Sequence, residues 1–214
     1  MSGVEQTAKR VATAVTVIRN RGMVVVIDDA DRENEGDLVM AAQYATPEAV
    51  NFAVTHARGL VCCAIAARIA DALQLGLQEA DNRALHGTNF TVSVDAAEGV
   101  TTGISVHDRA LTLRLVADRT TAPSALARPG HIFPIVADSR GLRGRRGHTE
   151  AAVLLAELAE LEPAAMICEI LDASGAAAGH TELLALARRF DMPVVSVAEL
   201  VQYEQLKQPQ ESRI

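Results

Sequence analysis

Apolar residues recur at helical spacing from the start of the chain. Val4, Ala8, Val11, Ala12, Val15 and Ile18 predict an amphipathic helix that stops near Gly22. Met23 to Ile27 is a continuous valine-rich run and reads as a buried strand. Polar residues fill 28–37, after which Leu38 to Ala41 resumes an apolar strand. Thr46 and Pro47 have the N-cap and first-turn signature of a helix reaching about Ala57. Leu60 to Ile65 reads as another buried strand, 66–73 as a weaker helix, and the alternation of Phe90 to Val94 as a strand. Ser105-Val106-His107-Asp108 has capping-box spacing, with Asp in place of Glu, and opens a helix to about Ala117. His131 to Ala137 is extended, and its proline suits an edge strand or a bulge. Then follow a helix over Thr149–Leu161, a strand over Met166–Leu171, a helix over Thr181–Phe190 and a strand over Val194–Val197. Ser196 and Glu199 cap a last helix, and the tail 208–214 is expected to fray.

Helices and strands alternate without a linker, repeat or low-complexity block, which predicts one domain over 1–207: a mixed sheet with helices packed on it. The runs 23–27 and 38–41, joined by a charged loop, read as an antiparallel pair, which argues against a purely doubly wound fold.

Composition narrows the class. Hydrophobic residues make up 49% of the 214 and charged ones 22%, the balance of a globular protein with a substantial core. The net charge of −7, with 3% aromatics and no Trp, argues against a nucleic-acid binder. No signal peptide and no membrane-length apolar stretch is read in the chain. Cys62, Cys63 and Cys168 are an odd set without zinc spacing, which suits reduced thiols in the cytoplasm. On a strand, Cys62 and Cys63 must point to opposite faces, and core packing is the default for each.

Four places could carry chemistry. The first is the loop Asp28-Asp29-Ala30-Asp31-Arg32-Glu33-Asn34-Glu35-Gly36-Asp37, which holds net −5 of the chain's −7. Such a run can be a solvated loop. Anchored between two buried strands, however, crowded carboxylates call for a compensating cation, and Mg²⁺ or Mn²⁺ with oxygen ligands would supply it. The second is Arg140 to Glu150, where glycines, Arg145, Arg146 and Thr149 precede a helix in the manner of a phosphate cradle. The alternative there is a basic turn with Thr149 as an ordinary N-cap; His148 beside it could serve as ligand or proton relay. The third is His131, held by Pro129, Gly130 and Pro134 in a stiff turn. The fourth is Glu169 within the apolar run 166–171, where a carboxylate is paired, solvated, or raised in pKa as a general base for a carbon acid requires. His56, His86, His107 and His180 have no comparable setting. Together these features suggest proton abstraction from a small sugar phosphate, with a metal stabilising an enediolate.

The acidic loop, Phe90 to Asp95, Gly99-Val100-Thr101-Thr102-Gly103, Arg128 to Pro134 and Gly147 to Ala151 together resemble the 3,4-dihydroxy-2-butanone 4-phosphate synthase family of riboflavin biosynthesis, over nearly the whole chain. The resemblance implies an α+β single domain in three layers, α/β/α, around a twisted mixed sheet. It also implies a homodimer with active sites at the interface and conversion of ribulose 5-phosphate to the named product plus formate. One or two Mg²⁺ or Mn²⁺ ions per site are implied, with Glu33 and His148 as metal ligands. Arg32, Glu33, Asp37, Arg145, Arg146, Gly147, His148, Thr149, Glu169 and Cys62 are implied to meet substrate. His131 and Glu169 are implied as catalytic, with His131 reaching across the dimer, and Glu35 and Asp28 as further acid/base groups. Asp172 to Gly179, Gly76 and Asp81 to His86 depart from the family pattern. A lyase or isomerase acting on another pentose phosphate is the alternative enzyme reading. A nucleotide- and RNA-binding relative would need a broader basic groove than 140–146 offers, and half of a fusion with GTP cyclohydrolase II is a third possibility.

Overall fold

In the computed structural model, which describes residues 2–29 and 32–207, helix α1 (Gly3–Arg19) opens on a reciprocal cap. Ser2 Oγ accepts from the Glu5 amide, and the Glu5 carboxylate accepts from the Ser2 amide. The buried stripe is Thr7, Val11, Ala14 and Ile18. Of the residues expected on that face, Ala12 points outward and Val4, in the first turn, stays 42% exposed. The expected tail and Ala30-Asp31 of the acidic loop lie outside the described residues.

Among the described residues, seven strands build one sheet: β1 (Val24–Ile27), β2 (Gly36–Ala41), β3 (Cys62–Ile65), β4 (Val94–Ala96), β5 (Leu126–Val136), β6 (Ala164–Glu169) and β7 (Val194–Ser196). Their order is β4-β5-β3-β6-β2-β1-β7. The β3–β5 and β1–β7 pairs are parallel and the others antiparallel, including the expected pair β1–β2. Because side chains alternate along a strand, Val24 and Val26 of β1 enter one core while Val25 and Ile27 enter the other. Helices α1, α5 (His148–Leu158) and α7 (Val197–Lys207) cover the first face. Helices α2 (Pro47–Phe52), α3 (Ala67–Ala72), α4 (Val106–Ala117) and α6 (His180–Arg189) cover the second. The result is the expected three-layer α/β/α arrangement around a mixed sheet. Cys62 and Cys63 divide between the two cores as adjacent strand residues must.

Three local expectations are revised. The helix opened by Pro47 ends at Phe52 and widens into a π-helical turn over Ala53–Ala57. Phe90 to Val94 does not form a regular strand, because its amides go to different partners: Thr91 N–H donates to Pro134 O and Val92 N–H to Gly76 O. Regular pairing begins only at Val94. The segment at His131 is no edge, since β5 lies between β4 and β3. The alternative of a bulge holds: Val94 faces Ile132 while Asp95 faces Ala127, so residues 128–131 loop out with His131 at their end.

Candidate active site

The acidic loop is folded around Asp28, which follows β1 and is buried. One of its oxygens accepts from the Glu35 amide at 2.9 Å, and the other accepts from the Glu33 amide at 3.2 Å and from Arg32 Nη1 at 2.9 Å. Arg32 also lies 2.9 Å from Glu33 Oε2. The loop thus presents Glu33 and Glu35 at fixed positions at the end of the β1–β2 hairpin. Asp37 on β2 stands directly beside Glu169 on β6. Glu169 Oε2 accepts from the Leu60 amide at 2.8 Å, and Gly59 is pressed against it so closely that a Cβ there would come within 2.6 Å of the same oxygen. His148, the first residue of α5, is 7% exposed, with Nδ1 at 3.8 Å from both Glu33 Oε2 and Asp37 Oδ1.

These groups border a cavity of about 300 Å³. Among the expected residues, Arg32, Glu33, Glu35 and Asp37 line it from the hairpin, Arg145, His148 and Thr149 from the start of α5, and Glu169 from β6. Burial, followed by Asp37, raises the pKa of Glu169 above the ordinary carboxylate range. Burial, followed by Glu33, does the same to Glu35. Burial raises Asp37 as well, against the pull of His148. Asp37 Oδ1 and His148 Nε2 are buried without a hydrogen-bond partner. Orphaned donor and acceptor atoms of this kind, hard oxygen beside imidazole nitrogen, fit a divalent cation. Asp28, Glu33 and His148 each bring one candidate ligand atom to within 4.8 Å of the others, which adds Asp28 to the expected pair.

The phosphate-cradle segment is arranged differently from expectation. Gly147 is the N-cap of α5, so Thr149 lies inside the helix and is no N-cap. Arg145 is engaged at each of its three nitrogens, with two N–H donors left over: Nη1 donates to Glu150 Oε2 at 2.9 Å, Nη2 to Thr88 Oγ1 at 2.9 Å, and Nε to the His86 carbonyl at 3.1 Å. It ties His86 and Thr88 into the cavity lining. Glu150, 2% exposed, anchors that tie and also accepts from the Asp138 amide. Sequence reasoning assigned no part to Glu150, Thr88 or His86. His86 lines the cavity with Nδ1 at 3.8 Å from Glu33 Oε1, and nothing in its local sequence signals this.

Other expected residues stand apart from the cavity lining. Asp28 sits behind the loop it organises. Cys62 is 1% exposed, in the core on the α5 face, and burial drives its thiol far above the ordinary range. Arg146 is exposed and Gly147 is buried at the helix cap. His131, on the β5 bulge, bonds to Asp95 and opens to the surface, not into the cavity of its own chain.

A family model described as 3,4-dihydroxy-2-butanone 4-phosphate synthase matches residues 12–203. The chain belongs to this family. A synthase of that name from Neisseria meningitidis serogroup B is 48% identical over 85% of this chain, which spans half the length of that relative. One from Edwardsiella ictaluri is 41% identical over 95% of this chain and 93% of its own length. Among solved structures, a synthase of the same name in complex with two magnesium ions superposes with a TM-score of 0.90 at 39% identity, over 92% of this chain and 97% of that one. The cation-free form of such a synthase gives 0.86 at 38% identity, over 93% and 98%. No helix among the described residues is long and apolar enough to cross a membrane.

Proposed function

We propose that this chain converts D-ribulose 5-phosphate into L-3,4-dihydroxy-2-butanone 4-phosphate and formate, as a cytoplasmic homodimer using Mg²⁺ or Mn²⁺. The observation that carries the reading is the crowding of Glu35, Asp37 and Glu169, all raised in pKa, against His148 in one small cavity. A carboxylate desolvated in this way is a stronger base than a free one, as abstraction of a proton beside a carbonyl requires.

Glu33, His148 and Asp28 would hold the cation. When bound, it would supply positive charge to substrate oxygens that become negative during the reaction. Arg32 pairs with both Asp28 and Glu33 and so offsets part of the loop's charge. Glu169 and Glu35, which both line the cavity, are the candidates to take the C3 proton. Water then leaves from C1, the skeleton rearranges, and hydrolysis releases C4 as formate; the water lost and regained leaves the reaction without a net redox change. Arg145 and the first turn of α5, at Thr149, receive the phosphate. Because His131 lies away from its own cavity, its catalytic part falls to the cavity of a second copy.

Incubation of the metal-loaded protein with ribulose 5-phosphate should yield stoichiometric formate, read with a formate-dehydrogenase coupled assay; folded, metal-loaded protein that makes none would refute the proposal. Glu33→Ala and His148→Ala should each abolish turnover and weaken Mg²⁺ binding in calorimetry, with little change in circular dichroism. Unaltered Mg²⁺ affinity in both variants would remove the assigned ligands.

A further inference from the structure

We infer that Asp95 is the positioning residue for His131, setting which ring nitrogen carries the proton and which way the imidazole faces. This rests on the reading of His131 as a catalytic group. Asp95 is 8% exposed at the start of the β4–β5 pairing, and both of its oxygens are committed to one residue. Oδ1 accepts from the His131 amide at 2.8 Å, and Oδ2 lies 2.7 Å from His131 Nδ1. A carboxylate only accepts, so Nδ1 carries the hydrogen, and in the neutral ring Nε2 is the proton-accepting nitrogen. The imidazole side chain is 41% exposed against 11% for the aspartate, so that nitrogen is presented at the surface while its anchor stays inside.

The surrounding backbone is shaped around this pair. Gly103 has φ +92°, and a Cβ there would fall 2.0 Å from Asp95 Oδ2 and 2.6 Å from His131 Nδ1. Gly130 packs onto β4 so tightly that a Cβ would meet the Val94 carbonyl carbon at 2.1 Å, and its amide donates to Ser93 Oγ at 3.1 Å. The bulge of residues 128–131 is therefore clamped from both sides, and its product is one oriented imidazole. Exposure alone would leave a surface histidine free to exchange tautomers; the two-point hold by Asp95 removes that freedom.

Asparagine at 95 keeps the shape and the acceptor for the His131 amide, but turns an N–H toward Nδ1 and so forces the hydrogen onto Nε2. ¹⁵N-histidine NMR of the intact protein should show the Nδ1–H form for His131 in the unaltered chain and the Nε2–H form in Asp95→Asn. In the kinetic arm, Asp95→Asn should lower kcat about 100-fold with KM and Mg²⁺ affinity within about twofold, the scale of one lost acid–base group. It should cost nothing further in a His131→Ala background. An Nε2–H form in the unaltered protein, or an equal loss of kcat with and without His131, would overturn the proposal. Absence of formate from the unaltered enzyme would sink the synthase reading instead, and the NMR arm would still decide the role of Asp95.

Discussion

Asp37 and Glu169 occupy facing positions on neighbouring antiparallel strands; burial and then Asp37 raise the pKa of Glu169, while burial raises Asp37 against the pull of His148. Two such groups at one spot either keep a proton or draw a cation, and Asp37 Oδ1 is buried without a hydrogen-bond partner. Arg145 shows how a residue read for one purpose acquires another. As a phosphate contact, its loss should raise KM by the equivalent of about 1.5–3 kcal/mol. It is also the partner of Glu150, whose side chain is 1% exposed. Arg145→Ala should therefore lower unfolding stability by about 3–5 kcal/mol as well, because it leaves that charge buried alone. Denaturant titration checks this, and Glu150→Gln in the same chain should recover most of the loss. The cysteines make a further residue-scale test. Burial pushes the Cys63 and Cys168 thiols up to about 12 and Cys62 well above the ordinary value. Ellman's reagent at pH 8 should titrate none of the three in the native protein and all three in guanidinium. The sign of the linkage follows: folding favours the neutral thiol, so this contribution is complete below the unfolded value of roughly 8.5 and is lost as pH rises toward 12.

At the scale of elements, most helices and strands were legible because their signals are local. Ser196 with Glu199 forms the reciprocal cap its spacing suggests, and the structure adds a second at Ser2 and Glu5. Ser105 caps α4 by accepting from the Asp108 amide, and Asp108 turns to Thr101 and the Gly103 amide. Phe90 to Val94 alternates as a strand should, yet its amides are drawn to two separate segments, and no local signal reports that. The turn before β3 is equally opaque from sequence. Gly59 shows no motif, but a Cβ there would stand 2.3 Å from the Glu169 carbonyl. Gly59→Ala should displace Glu169 and cut kcat more than tenfold while Mg²⁺ still binds, a split that steady-state kinetics and calorimetry would resolve. Leu113→Ala, in the core under α4, should cost about 2–5 kcal/mol in stability and leave kcat near its starting value at low temperature.

At the scale of the whole molecule, one sheet gathers chemistry from distant segments at one end. The β1–β2 hairpin supplies the acids, α5 the imidazole and its first turn, and β6 the candidate base. The bulge carrying His131 lies outside that cavity, so the proposed site needs a second copy. Mixing equal amounts of the inactive variants His131→Ala and His148→Ala, with subunit exchange, should therefore restore about a quarter of full activity, since half the dimers are mixed and each keeps one intact site. Activity that stays at zero while mass spectrometry shows mixed dimers would place the whole site within one chain.

By itself the sequence determined a mixed sheet with helices packed on it, the antiparallel hairpin around the acidic loop, and the identity of most residues lining the cavity. Periodicity, caps and charge density are properties of neighbours along the chain, and they survive without coordinates. The tertiary structure alone decided that Asp28 organises its own loop while standing beside Glu33 and His148, that Arg145 ties residues 86–88 to Glu150, and that His86 faces Glu33. It also decided that Asp95 holds His131. Each of these depends on which segments the sheet order brings together, and a hydrogen bond between residues tens of positions apart leaves no trace in the spacing of either.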